Sequence, residues 1–205
     1  MHVDTLSELQ ICERLRSSSP AGIGLDEVPR KTYAVPQSAA VLLPLLIEQG
    51  QWHLLYIRRA DNHRDRHSGE VAFPGGRVEP GDSDIPSAAL REAREEIGLD
   101  PGQVRLLGNL PAFHTISGYL VTPVVGAIPW PVDLAPDPKE VAGIFSIPLG
   151  WLADPVNHRE RIWPSEHHPE ARPVVFFREL AGELLWGISA RITLDFLRQV
   201  RVTEG

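Results

Sequence analysis

Between Gly76 and Leu99 the chain sets a glycine-led loop directly before a short helix that concentrates three glutamates, and this stretch constrains the fold more than any other. Leu90, Ala93 and Ile97 recur at helical spacing, and Gly98 supplies a stop because glycine tolerates positive φ. These residues predict a helix over about 84–97 whose apolar side faces a core. Glu92, Glu95 and Glu96 sit on the same helix at spacings that bring side chains onto a shared face. Like charges so placed cost an isolated helix about 0.2–0.5 kcal/mol per pair. A chain that gathers them implies a cation to neutralise them. Hard carboxylate oxygens suit Mg²⁺ or Mn²⁺ rather than zinc. Gly75-Gly76 ahead of the helix predicts a tight loop whose backbone can approach a ligand or metal closely.

Upstream lies Leu54-Leu55-Tyr56-Ile57-Arg58-Arg59, and then His67-Ser68-Gly69-Glu70-Val71-Ala72-Phe73-Pro74-Gly75-Gly76. Arg58, Arg59, Arg64 and Arg66 crowd together just before the loop. The planar guanidinium fork is suited to phosphate, so Arg58, Arg59 and Arg66 are candidate phosphate contacts. Asp61 and Asp65 stand among them, and the alternative is a self-paired surface loop.

Gly76, Arg91, Glu92, Ala93, Glu95, Glu96, Gly98 and Leu99 resemble the signature of the Nudix hydrolases, G-x5-E-x7-R-E-U-x-E-E-x-G-U, where U is aliphatic. There is one departure. The Gly76-to-Arg91 interval is one residue longer than the pattern. Counted from the glycine, the first acidic position falls on Asp82; counted back from Arg91, it falls on Ser83. The longer loop and the His67–Gly76 segment are similar to the coenzyme A pyrophosphatase branch of that family. So are Leu120–Gly126, Pro136–Val141 and Trp186–Ile192. The resemblance spans about residues 35–200.

It implies an α/β fold, a Nudix-type α/β/α sandwich with a mixed central sheet. It also implies metal-dependent hydrolysis of the pyrophosphate bond of coenzyme A or a derivative. Glu92 and Glu96 are then the principal metal ligands, and Glu95 is either a ligand or the acceptor of the water's proton. The Gly76 carbonyl joins the metal shell, and Arg91 orients Glu95. Glu95 and Glu96 are candidate general bases within the motif; Glu140 is one from outside it, or an ordinary turn carboxylate. Asp82 either binds metal or caps the helix, aspartate being a favoured cap residue. His67 contacts phosphate or braces the loop. ADP-ribose, NADH or another nucleoside diphosphate derivative is the competing substrate class, and a non-catalytic nucleotide sensor is a third reading.

The rest of the 205-residue chain frames this site. Apolar residues make up 42%, enough for a packed core, with no apolar run of membrane-spanning length. A formal charge of −7 argues against general nucleic-acid binding, which rests on basic surfaces. Cys12 is the single cysteine, which rules out an internal disulfide and fits the cytoplasm, the expected compartment. The expected partners are a small nucleotide substrate and a second copy in a homodimer.

Leu6, Leu9, Ile11, Cys12 and Leu15 predict an amphipathic helix over 4–18, and residues 20–37 a linker; 1–34 would pack on a domain spanning 35–205. Strands are expected near 38–48, 52–59, 70–73, 76–79, 103–110, 119–128, 140–146, 158–163 and 173–179. A final helix near 189–201 would turn Ile192, Leu194, Phe196 and Leu197 inward. Trp130, Trp151, Trp163 and Trp186 read as packing residues, and His167-His168 as a surface turn.

Overall fold

The computed structural model describes residues 3–17, 36–61, 68–115, 117–165 and 168–201, and leaves the side chains of Asp4 and of 163–172 undescribed. Chain order runs α1 (Glu8–Arg16), β1 (Gln37–Glu48), β2 (Gln51–Arg59), β3 (Val71–Ala72), β4 (Gly75–Arg77) and α2 (Ile85–Ile97). It continues through β5 (Arg105–Asn109), β6 (Phe113–His114), β7 (Tyr119–Ala127), β8 (Val141–Pro148), α3 (Leu149–Ala153), β9 (His158–Ser165), β10 (His168–Phe177) and α4 (Gly187–Val200).

Strands β1 to β8 form one sheet, and β9 and β10 form a separate hairpin. The sheet is mixed: β1 runs parallel to β7 from Gln37↔Tyr119 to Leu45↔Ala127, and the other pairings are antiparallel. The β1–β2 hairpin pairs only near its turn, from Leu45↔Leu54 to Glu48↔Gln51. Beyond that it opens, and residues 71–77 fill the wedge, with β3 on β2 and β4 on β1.

This wedge explains a proline inside a central strand. Leu42 N–H donates to Pro74 O, so the nitrogen of Pro44, two residues on, points the same way. It falls between the β4 pairing, which ends at Val41, and the β2 pairing, which begins at Leu45, where the ladder requires no donor. Pro44 therefore lies within β1 rather than interrupting it.

Strand alternation divides the core into two layers. Leu42, Leu46, Leu55, Ile57 and Val124 meet Ala88, Ala89, Ala93 and Ile97 of α2. Leu43, Leu45, Leu54, Tyr56 and Val125 meet α1 and α4 on the opposite face. Small alanines on α2 let that helix lie close to the sheet. On the other side the buried Tyr56 hydroxyl meets Thr193 Oγ1 at 2.9 Å. The result is an α/β/α sandwich.

Expected elements match observed ones to within a few residues, with three differences. β6 and α3 have no counterpart in the sequence reading, being two and five residues long and too short to show periodicity. Leu9 is 66% exposed rather than part of the apolar stripe, while Ile11 and Leu15 are buried. Ser7 caps α1 reciprocally with Gln10, and seating the Ile11–Leu15 side on the core leaves Leu9 on the outer face. Most of the expected linker lies outside the described residues.

Of the tryptophans, Trp186 stacks on Phe176 at 5.6 Å, Trp151 on Phe177 at 6.1 Å, and Trp130 Nε1 donates to Glu48; these are packing roles. The side chains of Trp163 and His168, and His167 itself, are outside the described set. No helix among the described residues is long and apolar enough to cross a membrane. The α1 contact carries a testable expectation. Ile11→Ala should cost about 2–5 kcal/mol in urea unfolding. Leu9→Ala should cost under about 0.5 kcal/mol. Equal losses at both positions would mean that α1 does not seat through Ile11.

Candidate active site

Helix α2 begins at an aspartate cap, but the residue is Asp84, whose Oδ1 accepts Ser87 N–H at 2.8 Å. Asp82, two residues earlier, is therefore not the cap. Glu79 to Asp82 form a turn, with Asp82 N–H donating to Glu79 O at 3.0 Å and Asp82 Oδ2 accepting Glu79 N–H at 2.7 Å. The carboxylate so held takes Arg91 bidentately, Nε at 2.9 Å and Nη2 at 3.1 Å. Its side chain is only 5% exposed. The Arg91 hydrogen bonds, then the Glu79 N–H, hold the Asp82 carboxyl below its ordinary range. The added loop residue thus separates two duties, with Asp82 anchoring the arginine and Asp84 starting the helix.

Arg91 distributes that anchor. Its Nη1 donates to Glu92 Oε1 at 2.9 Å and to Glu95 Oε2 at 3.0 Å, and its Nη2 donates to Arg77 O at 2.9 Å. One guanidinium therefore ties the turn, the end of β4 and two of the three motif glutamates. Arg91 Nη1 thus reaches Glu95, the residue it is expected to orient, and Glu92 as well. Asp82→Asn should lower kcat about 10- to 100-fold while leaving KM within a few-fold, by analogy with residues that orient ligands from behind. Arg91→Ala should do the same. A rise in KM with kcat intact, in either variant, would overturn the orienting role.

Glu96 lies deeper. It is 3% exposed, and its Oε2 accepts Gly75 N–H at 2.9 Å. Its Oε1 has no hydrogen-bond partner among the described residues. Burial pushes the Glu96 carboxyl up to about 7, opposed by the Gly75 N–H and the charge of Arg59, and reinforced by Glu92 and Glu140. Burial also raises Glu92, against the pull of Arg91. Gly76 is the floor of this arrangement: a Cβ there would stand 2.5–2.6 Å from all three atoms of the Glu92 carboxyl group. Only glycine admits the backbone so close to that carboxylate.

Strand alternation separates the two candidate arginines of β2. Arg59 turns toward α2, within electrostatic reach of Glu96. Arg58 turns to the opposite face, where Nη1 meets Glu183 Oε1 at 2.6 Å. Arg66 and His67 lie outside the described residues. Glu140 precedes β8 and is exposed, near enough to Glu92 and Glu96 to raise both. Its loop is tied to the site: Asp137 N–H donates to Glu96 O, Glu140 N–H to Asp137 O, and Ala60 N–H to Glu140 O. Sequence reading gave no sign of the Gly75 N–H or the Arg77 carbonyl, because backbone groups carry no residue signature.

The donor set fits a divalent cation. No three His, Cys, Asp or Glu side chains among the described residues form a ready ligand cluster, and Arg91 hydrogen-bonds both Glu92 and Glu95. The buried Glu96 oxygen without a donor, flanked by two further carboxylates, is nevertheless the group a hard cation would complete.

Fold and motif together define a Nudix-type sandwich with an acidic helix packed on one face of the mixed sheet. The NUDIX domain profile matches residues 36–166. The chain is 35% identical to the uncharacterized Nudix hydrolase NudL of Yersinia enterocolitica, covering 80% of this chain and 82% of that protein. It is 36% identical to the NudL of Yersinia pestis, covering 82% of each. A MutT/nudix family protein from Enterococcus faecalis shares the fold at 16% identity and a TM-score of 0.53, over 80% of this chain and 62% of that one. The chain belongs to the Nudix family, and it is a pyrophosphohydrolase of that class.

Proposed function

We propose that the protein hydrolyses the pyrophosphate bond of coenzyme A or its derivatives, giving 3′,5′-ADP and 4′-phosphopantetheine or its acyl form. The observation that carries the hydrolytic part is the Glu96 carboxylate, buried with one oxygen on Gly75 N–H and the other without a donor, beside Glu92 on the glycine floor. The coenzyme A part is supported by the likeness of 54–59 and 67–76 to the coenzyme A pyrophosphatase branch.

In this reading Glu92 and Glu96 hold Mg²⁺ or Mn²⁺, with Glu95 and the Gly76 carbonyl as further ligands. A divalent ion, when bound, supplies charge neutralisation on the diphosphate and a more acidic water. Arg91, locked by Asp82, keeps Glu92 and Glu95 in register. Arg59 places its charge where a diphosphate oxygen would arrive on the helix side. Glu95 or Glu140 takes the water's proton, and both lie on the solvent side of Glu96.

The test is parallel incubation with coenzyme A, ADP-ribose and NADH, with Mg²⁺ or Mn²⁺, and products identified by mass. Release of 3′,5′-ADP that outpaces cleavage of the other two and stops with chelator is the expected result. Faster cleavage of ADP-ribose or NADH would reassign the substrate within the same chemistry. No cleavage of any of the three would sink the coenzyme A reading and favour the nucleotide sensor.

A further inference from the structure

Arg77 is the residue after the glycine floor, and alternation sends its side chain to the face opposite Glu92. It is exposed and ends β4 at the rim of the sheet, while its carbonyl accepts Arg91 Nη2 at 2.9 Å. Its Nε donates to Tyr119 Oη at 2.8 Å, and its guanidinium carbon lies 5.4 Å from the centre of the Tyr119 ring. Tyr119 is itself fixed: its N–H donates to Thr115 Oγ1 at 3.0 Å, and its carbonyl accepts Thr115 N–H at 2.8 Å.

Arg58, Arg91, Arg105, Arg191 and Arg198 each pair with a carboxylate. Arg14, Arg161 and Arg201, like Arg77, have no carboxylate partner among the described residues. What sets Arg77 apart is that its Nε bonds a tyrosine hydroxyl while its guanidinium lies over the same ring. In a chain with 27 acidic and 20 basic residues, Arg77 meets only a phenol among the described residues. The bond to Nε fixes the plane of the fork and leaves both terminal nitrogens without a hydrogen-bond partner there. A guanidinium so held, its Nη pair open and an aromatic ring beside it, has the form of an anion site next to a stacking surface.

We propose that Arg77 and Tyr119 form the subsite for the nucleotide half of the substrate. The guanidinium takes a phosphate outside the scissile link, and the phenol ring supports the base. The inference rests on the hydrolytic reading above and deepens it, because β4 joins this pair to the carboxylates through Gly76 and Arg91. It distinguishes a nucleotide that carries an additional phosphate from one that does not.

The experiment is calorimetric titration of the full-length protein, without divalent metal, with 3′,5′-ADP and with 5′-AMP. Wild type should bind 3′,5′-ADP about tenfold more tightly, the difference expected of one charge-assisted contact. Arg77→Gln should remove that difference and leave AMP affinity within a few-fold. Tyr119→Leu should weaken both ligands about tenfold, and Tyr119→Phe, which keeps the ring, should leave AMP binding near wild type. Equal affinities in wild type, or a preference that survives Arg77→Gln, would overturn the phosphate assignment. Unchanged binding in Tyr119→Leu would overturn the base assignment. Binding that responds as expected in a protein that does not cleave coenzyme A would leave the subsite standing and remove the coenzyme A reading; coenzyme A turnover with unresponsive binding would do the reverse.

Discussion

Glu96→Gln should lower kcat for pyrophosphate hydrolysis by at least about a hundredfold with little change in KM. Glutamine preserves the shape and still offers an oxygen to Gly75 N–H, so the fold has no reason to fail. It removes the charge from a site that is 3% exposed and flanked by Glu92 and Glu140. The second readout is thermal. Saturating divalent ion at one hundred times its dissociation constant stabilises a site by about 2.7 kcal/mol. For a domain of this size that raises Tm by roughly 5–10 °C. The shift should be present in wild type and largely absent in Glu96→Gln. A variant that keeps either wild-type turnover or the full metal-induced shift would remove Glu96 from the centre of the site.

The second large effect is on stability. Gly75→Ala should destabilise the protein by about 3 kcal/mol or more, measured by chemical denaturation. A Cβ at Gly75 would stand 2.4 Å from Ala40 O and 2.6 Å from Val41 Cα. Both are backbone atoms of the central strand and cannot swing aside as a flexible side chain would. Relief requires β4 to move off β1, and that also withdraws the Gly75 N–H from Glu96. Activity should therefore fall further than stability alone accounts for. Gly81→Ala is the contrast, since nothing lies within 4 Å of a Cβ there, and it should cost under about 0.5 kcal/mol. A Gly75→Ala protein as stable as wild type would mean that β4 does not sit on β1 as described.

Much of this molecule is local and therefore readable. The acidic helix was expected over 84–97 and spans Ile85–Ile97, because apolar spacing, a cap and a stop glycine are contiguous signals. The parallel β1–β7 pair was legible only as two apolar strands, since nothing in either segment names its partner. Asp82 shows the limit most clearly. Counting residues leaves it open between metal ligand and helix cap; the cap is another residue, and the Asp82 carboxylate pairs with Arg91. The turn from Glu79 aims it at Arg91, while Asp84 serves as the cap.

Arg58 and Arg59 make the same point about direction. Adjacent in sequence and alike in chemistry, they are sent to opposite faces by strand alternation, one to Glu183 and the other toward Glu96. The family, the helix that carries Glu92, Glu95 and Glu96, and the glycine loop ahead of it can be read from the chain alone, because they are short-range patterns of residue type and spacing. Only the tertiary structure decided which oxygens are buried, which arginine meets them and what holds Arg91. Those outcomes depend on backbone groups and on strands brought together from distant parts of the chain, where residue type alone carries no record of the partner.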